Sequence, residues 1–232
     1  MKSLQEYKKL ASSLFGEYTQ LISNHLSLPP EDRDDFLHML IVEFKNEIEM
    51  LLVKFRNEHG GDMVELDFYT LYIKMAKENV KICDSFVERV AGIMSYNLCD
   101  NQDPRNMIKR CPNCGLIWFK TEGCDGSTTC GNRVSNYYDI LSKPWWKYQL
   151  RRINGKLQWT RTQKTQISLS VRTNNNSINN RQGNRQGCGQ NFIWSELPKI
   201  EDELILKLFK VKTIEQAKKL IQEDANFDRV RR

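Results

Sequence analysis

The feature that most constrains this chain is a run of four cysteines within twenty residues, followed much later by a fifth. They are Cys111, Cys114, Cys124, Cys130 and Cys188. The first two are separated by two residues and followed by a glycine, so both thiolates can point at one metal ion while the backbone turns tightly around it. Because sulfur ligands in a tetrahedral array favour zinc, the spacing predicts a structural zinc site built from these cysteines.

The rest of the composition indicates an intracellular protein. The 232 residues are 40% hydrophobic and 28% charged, which is enough to bury one or two cores. No apolar run reaches the length of about 18 residues that suggests a membrane span, and the first ten residues lack the apolar core of a signal peptide. We therefore expect a cytoplasmic or nuclear location without membrane association, in a reducing compartment that disfavours disulfides.

Positive charge is concentrated in one segment. Residues 131–195 hold eleven Lys or Arg and one Asp, a net charge of +10, whereas residues 1–100 hold eleven Lys or Arg and seventeen Asp or Glu, a net charge of −6. Such a cluster attracts either nucleic-acid phosphates or an acidic protein surface. The cations proposed to contact a nucleic acid are Lys147, Arg151, Arg152 and Lys156.

Hydrophobic periodicity predicts three long helices in the first hundred residues. Apolar residues recur every three or four positions in three stretches, the spacing of one buried helix face, and a proline pair and a glycine pair separate them. The connections are short, so we expect an antiparallel three-helix bundle or coiled coil. The first helix is expected to end at Leu28, and the third to run from about Val64 to Asn97.

The remaining chain predicts a small β-rich zinc module followed by two helices, which makes the fold class α+β. The bundle is assigned to residues 1–100, the zinc module to 101–195 and the C-terminal helices to 196–232. The polar stretch 100–110 predicts a linker between the first two domains. The apolar stretches 116–119 and 192–194 predict two strands inside the module.

A 57-residue interval separates the fourth zinc-segment cysteine from the last one. Asn154-Gly155 favours a two-residue turn, because both positions tolerate a positive φ, and it predicts a basic β-hairpin over 145–161. Alternating apolar residues at 167–171 suggest a third strand. Residues 174–187 are rich in Asn, Gln, Gly and Arg and predict a mobile loop.

The cysteine pattern resembles the last zinc module of RING-between-RING ubiquitin ligases. The shared elements are C-P-N-C, nine residues to a Gly-Cys turn, a further Cys, and later C-G-x-x-F-x-W; they cover Cys111–Cys130 and Cys188–Trp194. The resemblance implies one zinc ion (Zn²⁺) bound by Cys111, Cys114, Cys130 and Cys188. It also implies that Cys124 stands at the position of the family's catalytic cysteine, which accepts ubiquitin as a thioester.

The chain departs from that family at positions that matter for chemistry. Gly126 stands where the family has a histidine two residues after the catalytic cysteine. Glu122 and Asp125 flank the thiol of Cys124 with negative charge, which disfavours the thiolate. Ile193 stands where the family has a ligand of its second zinc ion, so we expect one zinc rather than two.

Three hypotheses of function follow. We expect an intracellular zinc-binding protein-interaction module that is related to RING-between-RING ligases and carries no catalysis. Its partner would be a protein with an acidic surface or a protein of the ubiquitin pathway. One alternative is a ubiquitin-transferring ligase, or a fragment of one, with Cys124 as nucleophile. The other is nucleic-acid binding through the basic segment 131–195.

Overall fold

The fold has helices at the N-terminus and small sheets further on, as the α+β prediction requires. A computed structural model describes residues 3–60, 65–113, 115–120, 126–130, 145–164 and 189–230. These residues form two compact units: one runs up to Tyr96 and includes Leu150–Gln158, and the other holds the rest from Asn97 onward. No helix in the described part of the chain is both long and apolar enough to cross a membrane.

The first unit contains three long helices, α1 (Leu4–Asn24), α2 (Pro30–His59) and α3 (Glu65–Ala91), each of which packs on the other two. Residues at the helix starts explain where α1 and α2 begin. The Ser3 hydroxyl accepts the backbone N–H of Glu6 at 3.2 Å, which caps α1. A proline in the first turn starts α2. Backbone N–H groups in the first turn of a helix have no partner within the helix, so the N–H that proline lacks is not needed there.

Two helices end earlier than the periodicity predicts. α1 ends at Asn24, one turn before its predicted end, and α3 ends at Ala91 rather than Asn97. Beyond α3, Ser95 donates its backbone N–H to one oxygen of the Asp34 carboxylate at 2.9 Å and its hydroxyl to the other. Asp34 is buried. Its carboxylate accepts the Ser95 N–H, which in a continued helix would donate to a carbonyl of the preceding turn.

Aromatic rings from all three helices meet in the core of this unit. Tyr18 of α1, Phe44 of α2 and Phe86 of α3 are fully buried. The centroids of the two phenylalanine rings lie 4.2 Å apart, and the Tyr18 ring lies 5.2 Å from Phe44 and 5.9 Å from Phe86. Contacts between such rings add to the stabilisation that burial of their area provides.

The second unit contains mostly short elements, and it includes the base of a hairpin whose tip, Leu150–Gln158, is part of the first unit. In chain order, the elements after α3 are α4 (Pro104–Met107), β1 (Ile108–Arg110), β2 (Ile117–Phe119), β3 (Ser127–Thr129), β4 (Trp145–Ile153), β5 (Lys156–Lys164), β6 (Asn191–Ile193), a 3-10 turn (Trp194–Glu196), α5 (Asp202–Phe209) and α6 (Ile214–Val230). The described strands form three pairs. β1 pairs with β2 and β3 pairs with β6, both antiparallel, and β4 and β5 are the two strands of a hairpin. The predicted strand at 167–171 and loop at 174–187 lie outside the described residues.

The prediction of a polar linker at 100–110 was wrong, because this stretch forms α4 and β1. The Asp103 side chain accepts the N–H of Arg105 at 2.9 Å, and Pro104 occupies the first turn of α4. Met107 and Ile108 are buried against residues of α5 and α6. A four-residue helix and a three-residue strand are too short to leave a readable hydrophobic period, so the sequence pattern missed them.

The two strands predicted inside the zinc module exist, and their burial differs. In β2, Ile117 is buried, Trp118 is half-buried, and Phe119 is 43% exposed and contacts the ring of Phe209. Ile117 and Phe119 lie on the same face of the strand, so burial in β2 decreases toward its end. In β6, Phe192 is buried between the exposed Asn191 and Ile193, which is the alternation of a strand with one covered face.

Candidate metal centre

The loop that joins β1 to β2 turns tightly around Cys111, the first of the predicted zinc ligands. The Cys111 N–H donates to the Leu116 carbonyl at 2.8 Å, and the Gly115 N–H donates to the Cys111 carbonyl at 3.0 Å. Gly115 has a φ of 79°, a left-handed conformation that favours glycine. Two backbone bonds therefore hold the chain around Cys111, whose side chain is fully buried.

A second loop has the same hydrogen-bond pattern but is made from two distant parts of the chain. The Cys130 N–H donates to the Gln190 carbonyl at 2.9 Å, and the Gly189 N–H donates to the Cys130 carbonyl at 2.8 Å. Gly189 has a φ of 72°, close to that of the glycine in the first loop. Cys130, like Cys111, is buried.

The two loops correspond residue by residue. In each, a buried cysteine accepts from a left-handed glycine and donates to the residue that follows the glycine. In each, the residue before the glycine in the sequence is also a cysteine, Cys114 in the first loop and Cys188 in the second. A pair of cysteines followed by a tight glycine turn is the arrangement that brings two thiolates to one zinc ion.

The two predicted zinc ligands that the structure describes share one apolar cluster. Cys111 and Cys130 pack with other buried side chains, namely Leu116, Phe192, Trp194 and Leu197. The half-buried Trp118 lies against the same cluster. An apolar surrounding of this kind limits the access of water, and the two tryptophans place natural fluorescent reporters at the site.

The other three cysteines of the predicted site lie outside the described residues. They are the predicted zinc ligands Cys114 and Cys188 and the candidate nucleophile Cys124. Within the described ranges, no group of three or more His, Cys, Asp or Glu side chains is arranged to hold a metal ion. Of the predicted zinc site, the structure thus describes Cys111, Cys130 and the backbone hydrogen bonds around them.

A set of ion pairs fixes the elements next to this cluster. Arg105 of α4 donates from Nε to Asp202 Oδ1 at 3.1 Å and from Nη2 to Oδ2 at 2.8 Å, and Lys199 Nζ donates to Oδ1 at 3.0 Å. Burial would raise the pKa of Asp202, but hydrogen bonds and charge from Arg105 and Lys199 outweigh it and hold that pKa below its usual value. Beside this set, the indole N–H of Trp194 donates to the Asn106 carbonyl at 3.3 Å.

The Asp202→Asn variant should lose a pH-dependent part of its stability. Because the pKa of Asp202 is lowered by folding, its contribution is fully present above about pH 4 and is lost as the pH falls through the folded pKa. Removing this charge takes one carboxylate away from the buried Lys199 cation and from Arg105, so we expect a loss of about 2 kcal/mol at neutral pH. Urea unfolding at pH 7 and pH 3 measures it, with the exposed Glu203→Gln as control; an equal loss at both pH values would contradict the assignment.

The tip of the β4–β5 hairpin belongs to the helical unit. Asn154 and Gly155 both have a positive φ, as the predicted two-residue turn requires. Arg152 donates to both oxygens of Glu17 at 3.0 Å and to Glu47 Oε2 at 2.8 Å. These hydrogen bonds raise the pKa of Arg152 and neutralise its charge within the unit.

This contact changes the set of cations proposed for nucleic-acid binding. Arg152 is already paired with two carboxylates, so its charge is not available to a phosphate. Arg151 and Lys156 are exposed, and Lys147 lies in β4. At least one cation of the basic segment therefore pairs with carboxylates of α1 and α2 in the same chain.

The sequence did not indicate the residues that close the second cysteine turn or those that form ion pairs between the elements of the second unit. Gly189 and Gln190 complete the second turn, and Asp202 joins α4 to α5. The sequence does carry a trace of the two turns, since Cys-Gly occurs both at 114–115 and at 188–189. No local pattern marks Asp202, because its partner Arg105 is distant in sequence.

Comparison with known proteins adds no relative of this chain. A scan against protein-family models finds no matching family. Neither a search of the curated proteins nor a search of the solved structures finds a match. The described geometry, with its two corresponding cysteine turns, is accordingly the strongest support for a metal centre in this chain.

Proposed function

We propose that the second unit is a single-zinc protein-interaction module, related to the last module of RING-between-RING ubiquitin ligases and without catalytic activity. Its ligands are Cys111, Cys114, Cys130 and Cys188, two from each cysteine turn. An antiparallel three-helix bundle, the first unit, accompanies it. The observation that carries this proposal is the repeated hydrogen-bond pattern of the two turns.

The chain itself keeps the remaining two ligands near the turns. Cys114 and Cys188 are bonded directly to Gly115 and Gly189, and adjacent Cα atoms in a trans peptide are 3.8 Å apart. A tetrahedral zinc ion with four thiolates at about 2.3 Å needs two such pairs facing each other. The shared apolar cluster of Cys111 and Cys130 supports that facing arrangement.

It follows that residues 131–187 are an insertion within the second cysteine turn. In the first turn, two residues separate the cysteines; in the second, 57 residues do. Because the two backbone hydrogen bonds of the second turn are the same as those of the first, the inserted residues are not required to form the ligand geometry.

Replacing residues 131–187 with Pro-Asn, the pair that separates the cysteines of the first turn, should preserve zinc binding. The resulting C-P-N-C-G turn copies the first one, so we expect one zinc ion per chain in both the shortened and the full protein. Native mass spectrometry with and without a chelator measures this. The matched control is the shortened chain with Cys111→Ala, which should bind none; a shortened chain without zinc beside a full chain with one would contradict the split turn.

The absence of catalysis is proposed from what surrounds Cys124 in the sequence. No histidine follows the cysteine at Gly126, and two carboxylates flank it, so nothing nearby in the sequence favours the thiolate. At Gly126 itself, a side chain would have room among the described residues, because none of their atoms beyond the chain neighbours lies within 4 Å of a Cβ placed there. The position therefore tolerates the histidine that the family has.

Incubation with a charged ubiquitin-conjugating enzyme should give no reductant-sensitive thioester on the wild-type chain. We expect the Cys124→Ser variant to keep its zinc ion and its fold, because this thiol is not a proposed ligand. A thioester that forms on the wild type and is lost in Cys124→Ser would establish the ligase activity instead. Gly126→His is the matched variant: a thioester in it alone would assign the inactivity to the missing base.

A further inference from the structure

The indole N–H of Trp118 is a buried donor without an acceptor among the described residues. The side chain as a whole is half-buried, but its Nε1 atom is buried and makes no hydrogen bond there. In the described part of the second unit, no other side-chain nitrogen or oxygen is buried without a partner. An unpaired buried donor is destabilising and rare in folded proteins, so this one needs an explanation.

The strand places the Trp118 side chain against the cysteine cluster. Leu116, just before β2, and Trp118 within it are two residues apart, so their side chains lie on the same face. Both pack with the cluster that contains Cys111 and Cys130. Ile117 lies between them and packs on the other face, with residues of α5 and α6.

The pairing of β1 with β2 leads from Trp118 to the first cysteine turn. Trp118 lies opposite Lys109, and Cys111 follows Lys109 by two residues on the same face. The Cys111 N–H donates to the Leu116 carbonyl at 2.8 Å, which extends the pairing by one position. Cys111 and Trp118 are therefore diagonal neighbours, a separation of about 7–8 Å that an aromatic side chain can span.

The other hydrogen-bond donors around the cluster are already used. The second tryptophan of the cluster, Trp194, donates its indole N–H to the Asn106 carbonyl at 3.3 Å. Four backbone N–H groups of the two turns also donate to carbonyl oxygens, namely those of Cys111, Gly115, Cys130 and Gly189. Among these donors, the indole of Trp118 alone is left for a sulfur atom.

Binding of zinc turns the cysteine sulfurs into stronger acceptors. A neutral thiol accepts hydrogen bonds only weakly, whereas a thiol bound to zinc is deprotonated. Four thiolates around one Zn²⁺ leave a net charge of about −2, which is unfavourable in apolar surroundings unless polar groups face it. The indole N–H is a donor only, so it suits this role.

We propose that Trp118 is a positioning residue of the zinc centre, whose indole N–H donates a hydrogen bond to a ligand sulfur when the metal is bound. This inference rests on the zinc site proposed above. The bond offsets part of the negative charge of the thiolates and fixes the orientation of the ligand that accepts it. Groups that bond to metal ligands in this way commonly change the affinity for the metal.

The test loads the full-length chain with ¹¹³Cd, a soft divalent ion that thiolates bind, and records a proton–cadmium correlation spectrum. The cadmium spin couples to a proton across an N–H···S hydrogen bond, so we expect a cross-peak between the metal and an indole N–H. The cross-peak should disappear in Trp118→Phe, which keeps an aromatic ring but has no N–H. Trp194→Phe is the matched control and should keep the cross-peak, because that indole donates to a carbonyl.

Zinc affinity gives a second readout. We expect Trp118→Phe to bind one zinc ion about tenfold more weakly than the wild type, measured by competition with a chromophoric chelator. The wild-type spectrum decides the matter even if this variant does not fold, because the indole resonance can be assigned to Trp118 through its ring and backbone signals.

The outcomes separate this inference from the zinc proposal. One bound cadmium ion without a cross-peak to Trp118 would overturn the inference alone, and a buried water as the acceptor would give that result. An unchanged zinc affinity in Trp118→Phe would overturn it as well. A chain that binds no metal would contradict the zinc proposal and this inference with it.

Discussion

Replacing Cys130 with alanine should abolish zinc binding and unfold the second unit, while α1, α2 and α3 remain folded. Structural zinc sites contribute about 10–16 kcal/mol in small metal-dependent domains, which is comparable to or larger than the whole stability of a typical domain. The second unit depends on short strands around Cys130, whereas the helices have their own aromatic core. Native mass spectrometry measures the metal, and spectroscopy reports the fate of each unit.

The tryptophans make the two units separable in this experiment. All five tryptophans lie between Trp118 and Trp194, so their fluorescence reports the β-rich part of the chain, and most of the helical circular dichroism comes from α1–α3. Cys83→Ala in α3 is the matched control, since it removes a thiol that is not a proposed ligand. Zinc retained in Cys130→Ala would refute the ligand assignment, and loss of both signals together would show one cooperative fold.

The Phe44→Ala variant should destabilise the helical unit by about 3–5 kcal/mol. Phe44 is fully buried, and its ring contacts the rings of Tyr18 and Phe86, so its removal opens a cavity where all three helices meet. Urea unfolding followed by circular dichroism measures the loss. Met50→Ala in the same helix, at an exposed position, should change the free energy of unfolding by about 0.5 kcal/mol or less.

Zinc content provides a second reading of the same variant. We expect Phe44→Ala to bind one zinc ion per chain under conditions in which its helices are still folded, because no proposed ligand lies in α1–α3. A loss close to that of Met50→Ala would mean that the aromatic cluster is not the core of the helical unit. A loss of zinc in Phe44→Ala would mean that the metal site depends on the helices.

The sequence predicts the parts of this fold that are governed by local chemistry. The buried stripes of α1–α3 are long enough for their period to be read, and Asn154-Gly155 alone determines a hairpin turn. The start of α6 is also local, since the Gln216 N–H donates to the hydroxyl of Thr213, three residues earlier, at 3.2 Å. In each case, residues close in sequence carry the whole interaction.

What the sequence did not predict depends on contacts between distant residues. Asp34, near the start of α2, is buried and accepts two hydrogen bonds from Ser95, which lies 61 positions later in the chain. The second cysteine turn is closed by Cys130 and Gly189, which no local pattern connects. The exposed apolar residues Leu66, Tyr69, Ile73 and Val80 of α3 were not distinguished from its buried stripe, because hydrophobicity alone does not tell which of two apolar faces is covered.

The pairing of β3 with β6 determines when the second unit can be completed during synthesis. A ribosome adds about 5–20 residues per second, so the roughly sixty residues between Thr129 and Asn191 take about 3 to 12 s to emerge. During that time, α1–α3 have all their helical partners, whereas β3 lacks the strand that it pairs with. The helices are thus expected to fold first, and the proposed zinc ion is expected to be fully coordinated only after Cys188 has been made.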